Sequence, residues 1–223
     1  MKFEAVLFDC DGVLVDSEPI TNGVLRELLA ESGWVMTPKE CMDFFIGKTV
    51  REESATIEAR TGRALTQEWM DIFYQKRNRE LEARLEIIDG AEAAVAAAHE
   101  HTRQRIACAS GADRFKVQMQ LAKVGLIDYF EGRIFSGHEM ARSKPAPDVY
   151  LAAAQHLQAP PRRCLVIEDT AIGVQAGAAA GATVWAYCPL PGQGAALRQA
   201  GASLLFEHMG QVPGLLAQAQ CQP

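Results

Sequence analysis

Two aspartates stand two residues apart where an apolar run ends, in Val6-Leu7-Phe8-Asp9-Cys10-Asp11-Gly12. Like charges this close resist joint ionisation unless a cation or a proton compensates, which makes the pair costly beside a sheet. Alone, Asp-x-Asp reads equally well as a helix cap or a turn. Three later groups bear on the choice: Ser110-Gly111, Lys144-Pro145 and Glu168-Asp169 each follow a segment with strand character. Taken singly, these are an ordinary turn, a solvated charge and a helix cap. Open α/β sheets, however, bind ligands outside the carboxyl ends of their strands, so four such groups on one sheet edge form a site rather than a coincidence.

The chemistry of that set is phosphoryl chemistry. Oxygen-rich carboxylate sites suit a hard cation, and Mg²⁺ is the usual one beside phosphate. It would relieve repulsion among Asp9, Glu168 and Asp169 and bridge to a phosphoryl oxygen. Ser110 and the Gly111 amide, at the start of the next helix, suit the other phosphoryl oxygens. Lys144 supplies a point positive charge for both nucleophile and phosphate. A carboxylate nucleophile can form an acyl-phosphate, and a second carboxylate can protonate the leaving oxygen and then deprotonate water.

The elements that must position these groups alternate along the chain. Residues 3–8 read as a buried strand, followed over 17–84 by helical segments at 20–31, 38–45, 50–60 and 67–84. Thr37-Pro38-Lys39-Glu40 and Thr49-Val50-Arg51-Glu52 carry capping-box signatures. Strands are then expected at 105–109, 133–136, 164–167, 183–187 and 203–206, separated by helices at 90–101, 113–124, 147–157 and 171–180. Strands spaced by helix-length segments imply a doubly wound parallel sheet. The expected fold class is therefore α/β: a Rossmann-like core of residues 1–16 and 85–223, with a four-helix cap inserted over 17–84. The tail from Gly210 to Pro223 is weakly patterned and reads as peripheral.

Composition excludes several function classes. The 223 residues are 48% hydrophobic and 22% charged, with a net charge of -6 and no basic run, which argues against a nucleic-acid surface. No apolar stretch approaches the ~18–20 residues a membrane span needs, and acidic Glu4 interrupts any leader-like run. Six cysteines without Cys-x-x-Cys spacing fit a reduced compartment. A cytoplasmic protein, monomeric or weakly homo-oligomeric, acting on a small phosphorylated metabolite is expected.

The run Asp9-Cys10-Asp11-Gly12-Val13-Leu14-Val15-Asp16-Ser17-Glu18 resembles the first motif of the haloacid dehalogenase superfamily, phosphatase branch. Ser110, Lys144-Pro145-Ala146-Pro147, and Glu168-Asp169-Thr170 with Gly173 and Ala180-Gly181 are similar to its second, third and fourth motifs in order. The resemblance covers about residues 3 to 188, and the helical insertion is similar to the cap of the β-phosphoglucomutase-like subfamily. It implies Asp9 as nucleophile and Asp11 as general acid/base. It also implies Mg²⁺ held by Asp9, the Asp11 carbonyl and Asp169 with Glu168, and phosphate held near Gly12, Ser110, Gly111 and Lys144.

Departures from the family patterns narrow the activity. Dehalogenases and phosphonatases lack the second aspartate, so Asp11 argues against both. Mutases of the subfamily carry histidine where Thr21 stands, and Ser-Lys where Ala112-Asp113 stand. Transfer of phosphate to water is therefore expected, with mutase activity as the alternative and a non-enzymatic phospho-acceptor module as a distant one. Substrate choice falls to the cap, where Lys48, Thr49 and Arg51 are either substrate contacts or a solvated helix start. The stretch from Phe135 to Pro145 resembles sugar-phosphate phosphatases, which implies sugar acids such as 6-phosphogluconate. Arg142 either faces an anionic substrate or lies on the surface.

Overall fold

Six parallel strands form one sheet in the computed structural model, which describes residues 3–45 and 49–220. They are β1 (Ala5–Phe8), β2 (Ile106–Ser110), β3 (Ile134–Ser136), β4 (Cys164–Glu168), β5 (Thr183–Tyr187) and β6 (Leu204–Phe206), in the order β3-β2-β1-β4-β5-β6. All residues of β1, β2 and β4 are buried. Successive side chains of a strand point to opposite faces, so both faces of the central sheet are covered. This is why these runs are continuously apolar rather than alternating. The order reverses between β1 and β4, where Phe8 pairs with Ile167. Asp9, the first residue after β1, and Glu168, the last of β4, therefore lie side by side at the switch point of the sheet.

The helices among the described residues are α1 (Glu18–Glu31), α2 (Pro38–Phe45), α3 (Ser54–Thr61), α4 (Gln67–Arg84), α5 (Ala91–His101), α6 (Arg114–Lys123), α7 (Asp148–His156), α8 (Ala171–Ala179), α9 (Gly194–Gln199) and α10 (Val212–Gln220). Ser17–Leu85, holding α1 to α4, is one compact unit; residues 1–16 with 86–223 form the other. The helical unit has its own apolar core, including Leu25, Leu29, Cys41, Ile57, Met70 and Phe73. Trp34, Phe44 and Phe45 pack around it with ring centroids 4.8–6.1 Å apart. In the sheet unit, small residues let α8 lie close: a Cβ on Gly177 would meet Val184 Cγ2 at 2.9 Å and Val166 Cγ1 at 3.1 Å. Among the described residues, no helix is long and apolar enough to cross a membrane.

Two expectations about local structure are corrected. The Thr49 capping box forms, with Thr49 N–H and Oγ1–H donating to Glu52 Oε2 at 2.8 and 2.9 Å, but it closes a turn. The helix itself starts only at Ser54, so local capping chemistry is satisfied one turn before the chain becomes helical. The tail is not peripheral: α10 packs on α5 and buries Val212, Leu216 and Ala219, an i, i+4, i+7 stripe too sparse to stand out in sequence.

Two glycines test this packing in opposite directions. Gly173→Ala in α8 would place a Cβ 1.7 Å from Glu168 Oε1, and is expected to lower unfolding free energy by about 1–3 kcal/mol. Gly23 in α1 has nothing within 4 Å of an added Cβ, so Gly23→Ala is expected to raise it by about 0.5–1 kcal/mol. Urea denaturation of the two variants checks both signs.

Candidate active site

The chain leaves β1 in a tight turn. Cys10 C=O accepts from the N–H groups of Val13, Leu14 and Val15 at 3.3, 2.9 and 3.2 Å, and Gly12 N–H donates to Val15 C=O at 2.9 Å. Gly12 holds φ +76°, a left-handed conformation that favours glycine, and a Cβ there would lie 2.2 Å from Asp169 Oδ2. The requirement for glycine at this position is thus the approach of the first strand's turn to the fourth strand's carboxylate.

Asp9, Glu168 and Asp169 each offer an oxygen within 4.8 Å of the others. Asp9 and Glu168 are buried, and Lys144 lies between them, its ammonium 2.7 Å from Asp9 Oδ1 and 2.7 Å from Glu168 Oε1. Tyr150, on the inward face of α7, donates its hydroxyl to Glu168 Oε1 at 2.8 Å, and its ring carries the Lys144 ammonium 4.8 Å from its centroid. Glu168 Oε2 accepts from Asp169 N–H, Thr170 N–H and Thr170 Oγ1–H at 3.0–3.1 Å. Five donors therefore fill the lone pairs of one buried carboxylate. Thr170 in turn caps α8, accepting from Gly173 N–H at 3.1 Å.

These contacts set the ionisation of the group. Burial alone would lower the Lys144 pKa, but the charges of Asp9 and Glu168 outweigh it and hold the value well above the usual lysine range. Burial would raise that of Glu168, yet the Lys144 charge and its hydrogen bonds keep it below the usual carboxylate value. For Asp9 burial wins, and its pKa rises to about 7 despite Lys144. Three clustered carboxylates with one ammonium leave a formal deficit of two positive charges, and Asp9 bears it.

Asp11 is held apart from this cluster by a different lysine. Lys116 of α6 donates to Asp11 Oδ1 and Oδ2 at 2.8 and 2.9 Å, and Gln120 donates to Oδ1 at 2.8 Å. Neither residue was expected from sequence, nor was Tyr150. The available signal was a polar or large side chain on the inward stripe of a predicted helix: Lys116, Val117, Gln120 and Leu121 are all buried.

Ser110 ends β2, almost fully buried, and its Oγ accepts from Ala112 N–H at 3.1 Å. Ser136, at the end of β3, donates to Ala112 C=O at 2.7 Å and so ties the two strand ends together. Gly111 is exposed at the turn before α6. Arg142 is 70% exposed and pairs with Asp148 at 2.8 Å, which places it on the surface. In the helical unit, Thr49 is engaged by Glu52 and Arg51 donates to Gln67 Oε1 at 2.8 Å. Lys48 lies outside the described residues.

A profile of the haloacid dehalogenase-like hydrolase family matches residues 3–181. The 6-phosphogluconate phosphatase of Escherichia coli is 29% identical over 215 residues, 96% of this chain and 95% of that one. The fructose-1-phosphate phosphatase of the same organism is 29% identical over 183 residues, 81% of this chain and 94% of that one. Among solved structures, a family hydrolase from Deinococcus radiodurans with bound phosphate and sodium superposes with a TM-score of 0.80 at 32% identity, covering 98% of this chain and 97% of that one. The chain belongs to the haloacid dehalogenase-like hydrolase family.

Proposed function

We infer that the protein is a Mg²⁺-dependent phosphatase that hydrolyses phosphomonoesters of small sugars or sugar acids through an aspartyl-phosphate. The observation that carries this reading is the sharing of three carboxylates, Asp9, Glu168 and Asp11, between two lysines, with the nucleophile and the acid/base on separate partners. Asp9 attacks phosphorus and the ester oxygen leaves, taking a proton from Asp11. Asp11 then draws the proton from water as that water attacks the aspartyl-phosphate, which frees phosphate and regenerates Asp9. Lys144 keeps Asp9 oriented, and Ser110 and the Gly111 amide lie on the strand end next to β1, where phosphoryl oxygens need donors.

A divalent cation fits the donor set, since hard oxygen ligands converge and the cluster lacks two positive charges. Asp9, Asp169 and the Asp11 carbonyl would hold it, with Glu168 behind them bracing Lys144 and the turn before α8. When bound, Mg²⁺ offsets the burial that lifts the Asp9 carboxyl and neutralises charge on the phosphoryl group.

Hydrolysis rather than mutase chemistry is supported at α6. Asp113, where mutases place a lysine for a second phosphate, caps the helix by accepting from Lys116 N–H at 2.9 Å, and its charge opposes a second phosphate. Lys48, Thr49 and Arg51 are the residues to which we assign substrate choice. The names of the Escherichia coli relatives point to 6-phosphogluconate and fructose 1-phosphate as the first esters to try.

Purified protein is expected to release phosphate from p-nitrophenyl phosphate and from members of a sugar-phosphate panel. EDTA should abolish release, and Asp9→Asn should reduce kcat by at least about 10³-fold; turnover persisting in Asp9→Asn would remove the nucleophile assignment. In the absence of substrate, Mg²⁺ near 100 times its Kd is expected to stabilise the protein by about 2.7 kcal/mol, a gain lost in Asp169→Asn. A melting temperature indifferent to Mg²⁺ would count against the metal site.

A further inference from the structure

Lys116 and Gln120 take no proton in the steps just described, yet their burial is built at some cost. Lys116 is 7% exposed and Gln120 is fully buried, one helical turn apart on the inward stripe of α6. Apolar side chains at those positions would bury area without desolvating an ammonium or an amide. Instead both reach one carboxylate. The ammonium straddles Asp11 Oδ1 and Oδ2 at 2.8 and 2.9 Å, and the amide donates to Oδ1 at 2.8 Å. The far end of the same amide is fixed as well: Cys10 Sγ lies 3.6 Å from Gln120 Oε1 and donates to it. Turning the amide over would set its oxygen against the carboxylate, so the thiol and the carboxylate jointly select one orientation. The helix that carries both residues is fixed at its start, because Asp113 accepts from the backbone N–H of Lys116 itself.

An aspartate has two side-chain torsions, and three hydrogen bonds from two side chains on a helix anchored at its cap determine both. The geometry points to Lys116 and Gln120 as positioning residues that hold the Asp11 carboxyl in the orientation from which it protonates the leaving oxygen. This rests on the phosphatase reading above. In the step concerned, the bond from phosphorus to the ester oxygen breaks as the bond from phosphorus to Asp9 forms. The Asp11 O–H bond breaks as the proton passes to the departing oxygen, leaving an alcohol and the Asp11 carboxylate. An alkyl oxygen needs that proton, whereas p-nitrophenolate leaves without it. The two esters therefore separate the placement of Asp11 from the integrity of the site, and kcat/KM covers the steps through leaving-group departure.

The test uses the full chain with Mg²⁺ and compares p-nitrophenyl phosphate with the sugar phosphate hydrolysed fastest in the panel. Lys116→Met and Gln120→Met remove the donors at similar side-chain length. Each is expected to lower kcat/KM for the sugar ester by about tenfold to a hundredfold and for the aryl ester by less than about threefold. Lys116→Arg, which keeps a cationic donor, should recover part of the loss. In an Asp11→Asn background, Lys116→Met should change the rate of either ester by less than about twofold, since the group it positions is already gone. Melting temperatures identify a variant that fails to fold; Gln120→Met, which removes a single neutral donor, carries the test if Lys116→Met does. Equal losses on both esters, sugar-ester rates within about threefold of wild type, or additivity with Asp11→Asn would each overturn the positioning role alone. Wild-type protein that hydrolyses neither ester overturns the phosphatase reading, and the positioning role with it.

Discussion

The two ion pairs that Lys144 makes, 2.7 Å to Asp9 and 2.7 Å to Glu168, are the interactions on which the rest of the site depends. Three carboxylates converge where water is scarce, and unpaired burial of one would cost several kcal/mol. Lysine tolerates that place because two anions hold its charge and the Tyr150 ring faces its ammonium. Glu168 tolerates it because five donors reach it, three of them from the two residues that follow it. Glu168 thereby converts a strand end into a rigid turn and hands Lys144 a fixed anchor. Asp9 is left with its carboxyl raised to about 7 by burial despite Lys144, a property that suits the roles proposed for it above.

Backbone topology makes this convergence inexpensive. Parallel pairing of β1 with β4 puts Phe8 opposite Ile167, so Asp9, just beyond β1, and Glu168, at the end of β4, are neighbours without any loop having to reach. Close approach then needs missing side chains, and glycine stands at both contacts: Gly12 beneath Asp169 and Gly173 beneath Glu168. The motif glycines and the motif acids are thus one requirement seen twice. The acids can crowd together only where the facing backbone carries no Cβ.

This explains what was legible in the sequence and what was not. Strand ends are local features, so Asp9, Ser110, Lys144, Glu168 and Asp169 could be placed on one edge once the alternation of strands and helices was read. Glycine at 12 and 173 was visible as part of motifs, but its reason was not, because that reason is a contact across 157 and 5 residues of chain to Asp169 and Glu168. Lys116, Gln120 and Tyr150 escaped for a different cause. Each sits within a helix, where a lone polar or large residue on an amphipathic pattern reads as a solvated position or a core filler. Only the packed structure shows which way it faces. The same limit applies to α10, whose three buried residues are too widely spaced to announce an inward face.

Division of the aspartate pair follows from these constraints. Had Asp9 and Asp11 shared Lys144, the two carboxylates would have had to titrate as a unit, each fixing the other's charge. A reaction that needs one carboxylate ionised and its neighbour able to carry a proton is poorly served by such coupling. Separate lysines, one arriving after β3 and one from the helix after β2, give the two groups different ion-pair partners although they lie two residues apart, while the Asp11 charge still adds to the rise at Asp9. The core thereby supplies both halves of the proposed chemistry without reference to the substrate's organic part. The helical unit is compact in its own right and has its own apolar core, so under the function proposed above its residues can differ without disturbing that arrangement.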